Sequence, residues 1–160
     1  LSKQLHKKNF TKIYHALVTR CIDKPIVVEE PIGRHPVNRK KMSIHINGRH
    51  AVSKIKPLTM FKKTTHVEVE LITGRTHQIR VHLSYLNNPV IGDSMYGFKK
   101  TFFTKDLNIS ETIDPLFSQY LHAYSLSFRD PSSNELKKYT AEYPKEYSLL
   151  LNKLNKDNYD

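Results

Sequence analysis

The segment His66-Val67-Glu68-Val69-Glu70-Leu71 constrains the fold more than any other stretch of the chain. Val67, Val69 and Leu71 alternate with polar residues, so one face of the segment is buried and the other is wet, the pattern of a β-strand. Thr73-Gly74 ends it, and Ile79, Leu83 and Leu86 then fall at helical spacing. An amphipathic helix is expected from Thr76 to about Leu86, capped near Thr73 or Thr76 and stopped by Asn87-Asn88-Pro89.

The flanking sequence extends this pattern. Lys12 to Thr19 is rich in β-branched and aromatic residues and reads as a strand, as do about Ile26 to Glu29 and Ala51 to about Leu58. Leu121 to Phe128 and Lys137 to Tyr143 alternate large and polar residues around Asp130-Pro131-Ser132-Ser133-Asn134, which predicts a hairpin with a longer loop. Residues 1 to 9 read as the last turns of a helix, so the chain is expected to start inside a larger protein. Lys99 to about Ser118 has no period and reads as a variable insertion, and Pro144 opens a short helix to about Leu154. The sum is a mainly antiparallel α+β domain over residues 1–150, long enough to bury a core, followed by a polar tail over 151–160.

Apolar runs of only a few residues exclude a membrane-spanning helix, and the amino-terminal basic residues have no apolar stretch behind them to make a secretory signal. Cys21 is the single cysteine, so an internal disulfide and a cysteine-based zinc site are excluded. A reducing compartment follows as the default; the cytoplasm is expected, with an organelle left open. Cys21 itself reads as a small buried or half-buried hydrophobe. Twenty-six Lys and Arg against fifteen Asp and Glu leave a net charge of +11, which makes a polyanion the first partner to test. A lysine- and asparagine-rich composition can also arise with no partner at all. Position is more informative than count: Arg34, Arg39, Lys40 and Lys41 lie in one block from Gly33 to Lys41, whose Gly and Pro mark an ordered or semi-ordered loop where phosphates could be held.

Standard phosphate-loop, dinucleotide, nucleophile-elbow and zinc-helix spacings are absent. His77 and His82 are five apart, wrong for two ligands on one helical face, so no metal is expected. The run Leu71 to His82 is different, because it gathers hydrogen-bonding side chains at a strand-to-helix junction that favours an anion. Gln78 and His82, one turn apart, could equally be the wet face of the helix.

Several blocks occur in a recognisable order: Lys12-Ile13-Tyr14-His15-Ala16-Leu17-Val18, Pro31-Ile32-Gly33-Arg34-His35-Pro36, Arg39-Lys40-Lys41-Met42, Thr73 to His82, Gly92-Asp93-x-x-Tyr96-Gly97 and Leu121-His122-Ala123. Together they resemble the RluA/RluD family of RNA pseudouridine synthases. The resemblance implies a mixed, largely antiparallel central sheet with flanking helices, a cleft for a flipped-out uridine, and no metal or organic cofactor. It implies an aspartate nucleophile, with the base detached, turned and rejoined through carbon. An enzyme cannot reach C5 and C1′ of a stacked base, which is the physical motive for extrusion.

By position, Tyr14 resembles the tyrosine that stacks near the target base and could remove the C5 proton. Arg80 resembles the arginine that holds the catalytic aspartate, a task suited to a permanently charged fork. Arg75, His77 and Gln78 would shape the cleft, and Arg34, His35, Arg39, Lys40 and Lys41 would meet the RNA backbone of a ribosomal or transfer RNA stem-loop. His35, His122 and Asp93 are expected to hold turns by hydrogen bonds, and a monomer is expected. The resemblance departs at one place: the family's His-Arg-Leu-Asp-x-x-Thr-Ser-Gly block occurs nowhere in the 160 residues. The chain is therefore expected to be the carboxy-terminal portion of a catalytic domain, inactive alone, with Arg80 lacking a carboxylate to neutralise it.

Overall fold

A computed structural model of the chain describes residues 10–102 and 119–157. Its strands are β1 (Phe10–Thr19), β2 (Ile26–Glu29), β3 (Ile32–Arg34), β4 (Met42–Ile44), β5 (Val52–Met60), β6 (Thr64–Leu71), β7 (Leu121–Arg129) and β8 (Leu136–Thr140). Helices lying wholly within the described residues are α1 (Gln78–Tyr85) and α2 (Lys145–Asp157), with a 3-10 turn at Ser94–Tyr96. Six strands form one sheet in the order β2-β5-β6-β1-β7-β8, and β3-β4 form a separate two-stranded hairpin. Every strand pairing among the described residues is antiparallel, so the α+β class holds and no parallel pair is seen there. The helix expected before Phe10 and most of the insertion expected at Lys99–Ser118 lie outside the described residues.

β1 is one of the two central strands, and its alternation sorts the core into two layers. Ala16 and Val18 join Val67, Val69, Ile79 and Leu83 on the face covered by α1. Leu17 points the other way, to Tyr120, Tyr147, Leu150 and Leu154 beneath α2. All of these are at most 5 % exposed. With both faces covered, Ala16-Leu17-Val18 must be apolar at three successive positions, which a strand with one wet face would not tolerate. Leu150 and Leu154, one helical turn apart, are buried beneath α2, which ends at Asp157, a few residues beyond the expected end near Leu154. A third cluster, Ile32, Ala51, Val81 and Tyr96, with Met42 and Ile44 against it, ties the β3–β4 hairpin to α1. Cys21 is exposed, contrary to expectation, although its Sγ reaches the Phe61 carbonyl at 3.4 Å.

Under α2 the sheet carries histidines and tyrosines in contact. The His15 ring stacks on Tyr124 at 3.9 Å, and the His66 ring meets Tyr143 and Tyr147 edge-on at 6.0 Å each. Burial, with a smaller push from His15, lowers the His66 imidazole to about 4 from its ordinary 6.5. The unfolded chain therefore binds a proton between those values that the folded chain refuses. Stability is complete above about pH 6.5 and falls as the pH drops towards 4. That loss is expected to be on the order of 3 kcal/mol, and His66→Phe should remove it from urea-unfolding curves recorded between pH 7 and 4. A His66→Phe variant with the wild-type pH slope would show that another group is responsible.

Candidate active site

The strand-to-helix junction after β6 is held by a chain of buried hydrogen bonds. The Val52 N–H donates to Thr73 Oγ1 at 2.8 Å, and Thr73 donates to Gln78 Oε1 at 2.8 Å, where the Arg75 N–H also arrives at 2.9 Å. Gln78 Nε2 donates to the Val52 carbonyl and to Ser53 Oγ, both at 2.9 Å. Ser53 Oγ lies 2.9 Å from His82 Nδ1, and His82 Nε2 lies 3.0 Å from the Glu30 carbonyl. A carbonyl can only accept, so His82 carries its proton on Nε2 and receives Ser53's hydroxyl hydrogen on Nδ1. Burial lowers the His82 imidazole, consistent with this neutral tautomer.

Gln78 is 2 % exposed and His82 0 %, so the pair is not the wet face of a helix. All four hydrogen-bonding sites of the Gln78 amide are filled from within. Gln78 fixes the Thr73–Arg75 loop through its amide oxygen. The loop also moves the helix start. α1 begins at Gln78, and the residue before it, His77, adopts the left-handed conformation at φ 56° with no side-chain cap. Neither Thr73 nor Thr76 caps the helix: Thr73 Oγ1 is committed to Val52 and Gln78.

This backbone opens a cleft of about 180 Å³ walled by Tyr14, Arg75, His77 and Arg80, with Leu71 and Leu121 as apolar sides. Tyr14 enters from β1 at a register shift against β7, between Ile13 and Tyr14. A bulge of this kind re-aims a side chain. The Tyr14 ring packs against the α1-side core, and its hydroxyl has no hydrogen-bond partner among the described residues. Arg75 fastens the rim through Nε, which donates to the His50 carbonyl at 2.8 Å.

Arg80 differs most from expectation. Its Nε and Nη2 donate to the two oxygens of Asp93 at 2.7 and 2.9 Å, so a carboxylate within the chain already neutralises it. Asp93 was expected to hold a turn; its side chain is 1 % exposed and serves Arg80 instead. The Tyr96 ring lies under the guanidinium, 4.7 Å from Cζ to the ring centroid. The Met42 N–H donates to the Tyr96 hydroxyl at 2.9 Å, leaving the hydroxyl hydrogen for His77 Nδ1 at 2.7 Å. Burial, and secondarily the Arg80 charge, lower the His77 imidazole, with Asp93 opposing. His77 is therefore a neutral group with its proton on Nε2. Ser53, Asp93 and Tyr96 were not assigned to the site from sequence. The Gly92-Asp93-x-x-Tyr96-Gly97 block marked the segment, but nothing in it says which side chains meet Arg80.

The basic block expected as a loop is the tip of the β3–β4 hairpin. Arg34 Nη1 donates to the Arg39 carbonyl at 3.0 Å, and His35 Nδ1 accepts from the Val37 and Asn38 N–H groups at 3.2 and 3.0 Å. His35 thus holds the turn. Arg34, Arg39 and Lys40 are exposed and Lys41 is half-buried. The hairpin is joined to the cleft wall through Met42 and Tyr96. On β7, His122 Nε2 pairs with the Ala141 carbonyl at 3.2 Å, away from the cleft.

Residues 1–85 match the family described as RNA pseudouridylate synthase, and the chain belongs to that family. Over 158 residues, 98 % of this chain, it is 35 % identical to the ribosomal large subunit pseudouridine synthase D of Pseudomonas aeruginosa. The protein of that name from Nitrosomonas europaea is 36 % identical over 151 residues. The chain spans 49 % and 43 % of those two proteins, about half their length. Among solved structures, human RNA pseudouridylate synthase domain containing 1 superposes with a TM-score of 0.71 at 26 % identity, covering 92 % of this chain and 60 % of that one. Human RNA pseudouridylate synthase domain containing 4 shares the fold, with a TM-score of 0.75 at 22 % identity over 96 % of this chain and 66 % of that one.

Proposed function

We propose that the protein to which this chain belongs isomerises uridine to pseudouridine in ribosomal or transfer RNA. The observation that carries the reading is that Tyr14 and Arg80, far apart in sequence, wall the same cleft. Its volume suits a single extruded pyrimidine, as chemistry on a base taken out of the stack requires. In the proposed reaction an aspartate attacks the flipped uridine, and the base is released, turned and rejoined through C5. The Tyr14 hydroxyl, without a hydrogen-bond partner among the described residues, takes the C5 proton as it releases its own to solvent. Arg80 presents its remaining N–H groups to the attacking carboxylate, and Arg75 and His77 line the pocket. Arg34, Arg39, Lys40 and Lys41 meet phosphates, while His35 keeps their turn in shape.

An RNA-binding protein without catalytic competence is the other reading. It is disfavoured because a pure binder has little need of a tyrosine and an arginine brought together in a base-sized cleft. The test is to incubate the whole natural protein with ribosomal and transfer RNA transcripts and map pseudouridine by carbodiimide labelling and primer extension. Modification at discrete uridines is expected. RNA binding without pseudouridine would establish the second reading. The 160-residue chain holds no His-Arg-Leu-Asp block and is expected to leave the same transcripts unmodified.

A further inference from the structure

Asp93 occupies the N-cap of the 3-10 turn Ser94–Tyr96, where an aspartate ordinarily accepts from backbone N–H groups further along. Its side chain makes no such bond. The turn is held by the main chain: the Tyr96 and Phe98 N–H groups donate to the Asp93 carbonyl at 3.2 and 3.1 Å. Gly92 and Gly97 supply the positive φ values of 86° and 107° that the bends require. The carboxylate is therefore surplus to the turn. It is buried, and a buried charge is tolerated only when it is paired and hydrogen-bonded.

Its partner is held on two sides. Asp93 grips the Nε–Nη2 edge of Arg80, and the Tyr96 ring covers one face of the guanidinium. What remains for an anion is Nη1 and the second hydrogen of Nη2, on a side chain that walls the cleft. Arginine loses considerable rotamer freedom when it is fixed. Fixing it during folding removes that cost from the reaction step. We propose that Asp93 and Tyr96 are positioning residues, which hold the Arg80 guanidinium so that its uncommitted edge meets the anionic group at the reacting uridine. Tyr96 also joins this bracket to the basic hairpin, through the Met42 N–H, and to His77. The inference rests on the proposed function.

The experiment uses the whole natural protein in single turnover on an RNA that the wild type modifies, with Asp93→Asn, Tyr96→Leu and Tyr96→Phe made in the wild-type and in an Arg80→Lys background. Asp93→Asn keeps the shape of the side chain but turns an amide against the guanidinium. The rate at saturating RNA is expected to fall roughly 10- to 100-fold, with RNA affinity changed less than about threefold. In the Arg80→Lys background the same substitution should cost less than about threefold, because the group it positions has gone. Tyr96→Phe keeps the ring and should lose less than Tyr96→Leu. Should Asp93→Asn fail to fold by circular dichroism, Tyr96→Leu decides by the same comparison. Equal losses in both backgrounds would show a merely structural role and overturn the proposal, as would a loss confined to RNA affinity or an unchanged rate. A wild-type protein that makes no pseudouridine overturns the functional reading first, and this inference with it.

Discussion

Replacing Tyr14 by phenylalanine is expected to lower pseudouridine formation by the whole protein roughly 100- to 10,000-fold, the range associated with a positioned proton-transfer group. The change should leave the fold almost untouched. The Tyr14 ring packs against the core beside Val67, Val69 and Ile79, whereas its hydroxyl makes no hydrogen bond to a described residue. Phenylalanine keeps the packing and strands no buried partner, so unfolding free energy should change by less than about 0.5 kcal/mol. RNA affinity should also persist, because the basic hairpin is intact. A Tyr14→Phe protein that modifies RNA at the wild-type rate would remove Tyr14 from the proton transfer and leave it a stacking surface only.

Replacing Arg80 by methionine should do the opposite and damage the fold as well as the reaction. Asp93, 1 % exposed at its side chain, would be left charged and unpaired in the interior. Breaking a buried pair from one side costs about 3–5 kcal/mol, measurable by urea unfolding at pH 7. Adding Asp93→Leu should restore part of the loss at pH 7, since two apolar residues in place of a buried pair are often neutral. A loss at pH 7 below about 1 kcal/mol, the range of an exposed pair, would mean that water reaches Asp93.

Much of the fold was legible in the chain itself, because period-two and period-3.6 patterns are local consequences of burying one face. β2 was read at its observed bounds, Ile26–Glu29, and the β7–β8 hairpin around the Asp130 turn within a few residues at its ends. The start of α1 was misplaced because Gln78 and Thr73 form long-range hydrogen bonds to Val52, and these fix a left-handed His77 that propensity disfavours. The β3–β4 hairpin was taken for a loop since its three-residue strands are too short to show a period. Leu154 was placed near the end of its helix, but the pocket under α2 that carries the helix to Asp157 comes from Leu17, Phe61 and Tyr120, which sequence order does not connect to it.

The site divides in the same way. The alternation of His66–Leu71, the basic block and the ordered blocks around Tyr14, Arg75, His77 and Arg80 are properties of the sequence, and they determined the α+β class, the family and the residues of the cleft. Which groups are charged, neutral or already satisfied was decided only in three dimensions. Gln78 is saturated by contacts from Val52, Ser53, Thr73 and Arg75; Arg80 is paired by an aspartate thirteen residues on; and the Tyr14 hydroxyl makes no hydrogen bond to a described residue. The reason is physical. Burial patterns are written along the chain at short range, whereas the pairing of a buried charge or hydrogen-bonding group depends on partners that only the packing of the sheet, α1 and the Gly92–Gly97 turn brings within 3 Å.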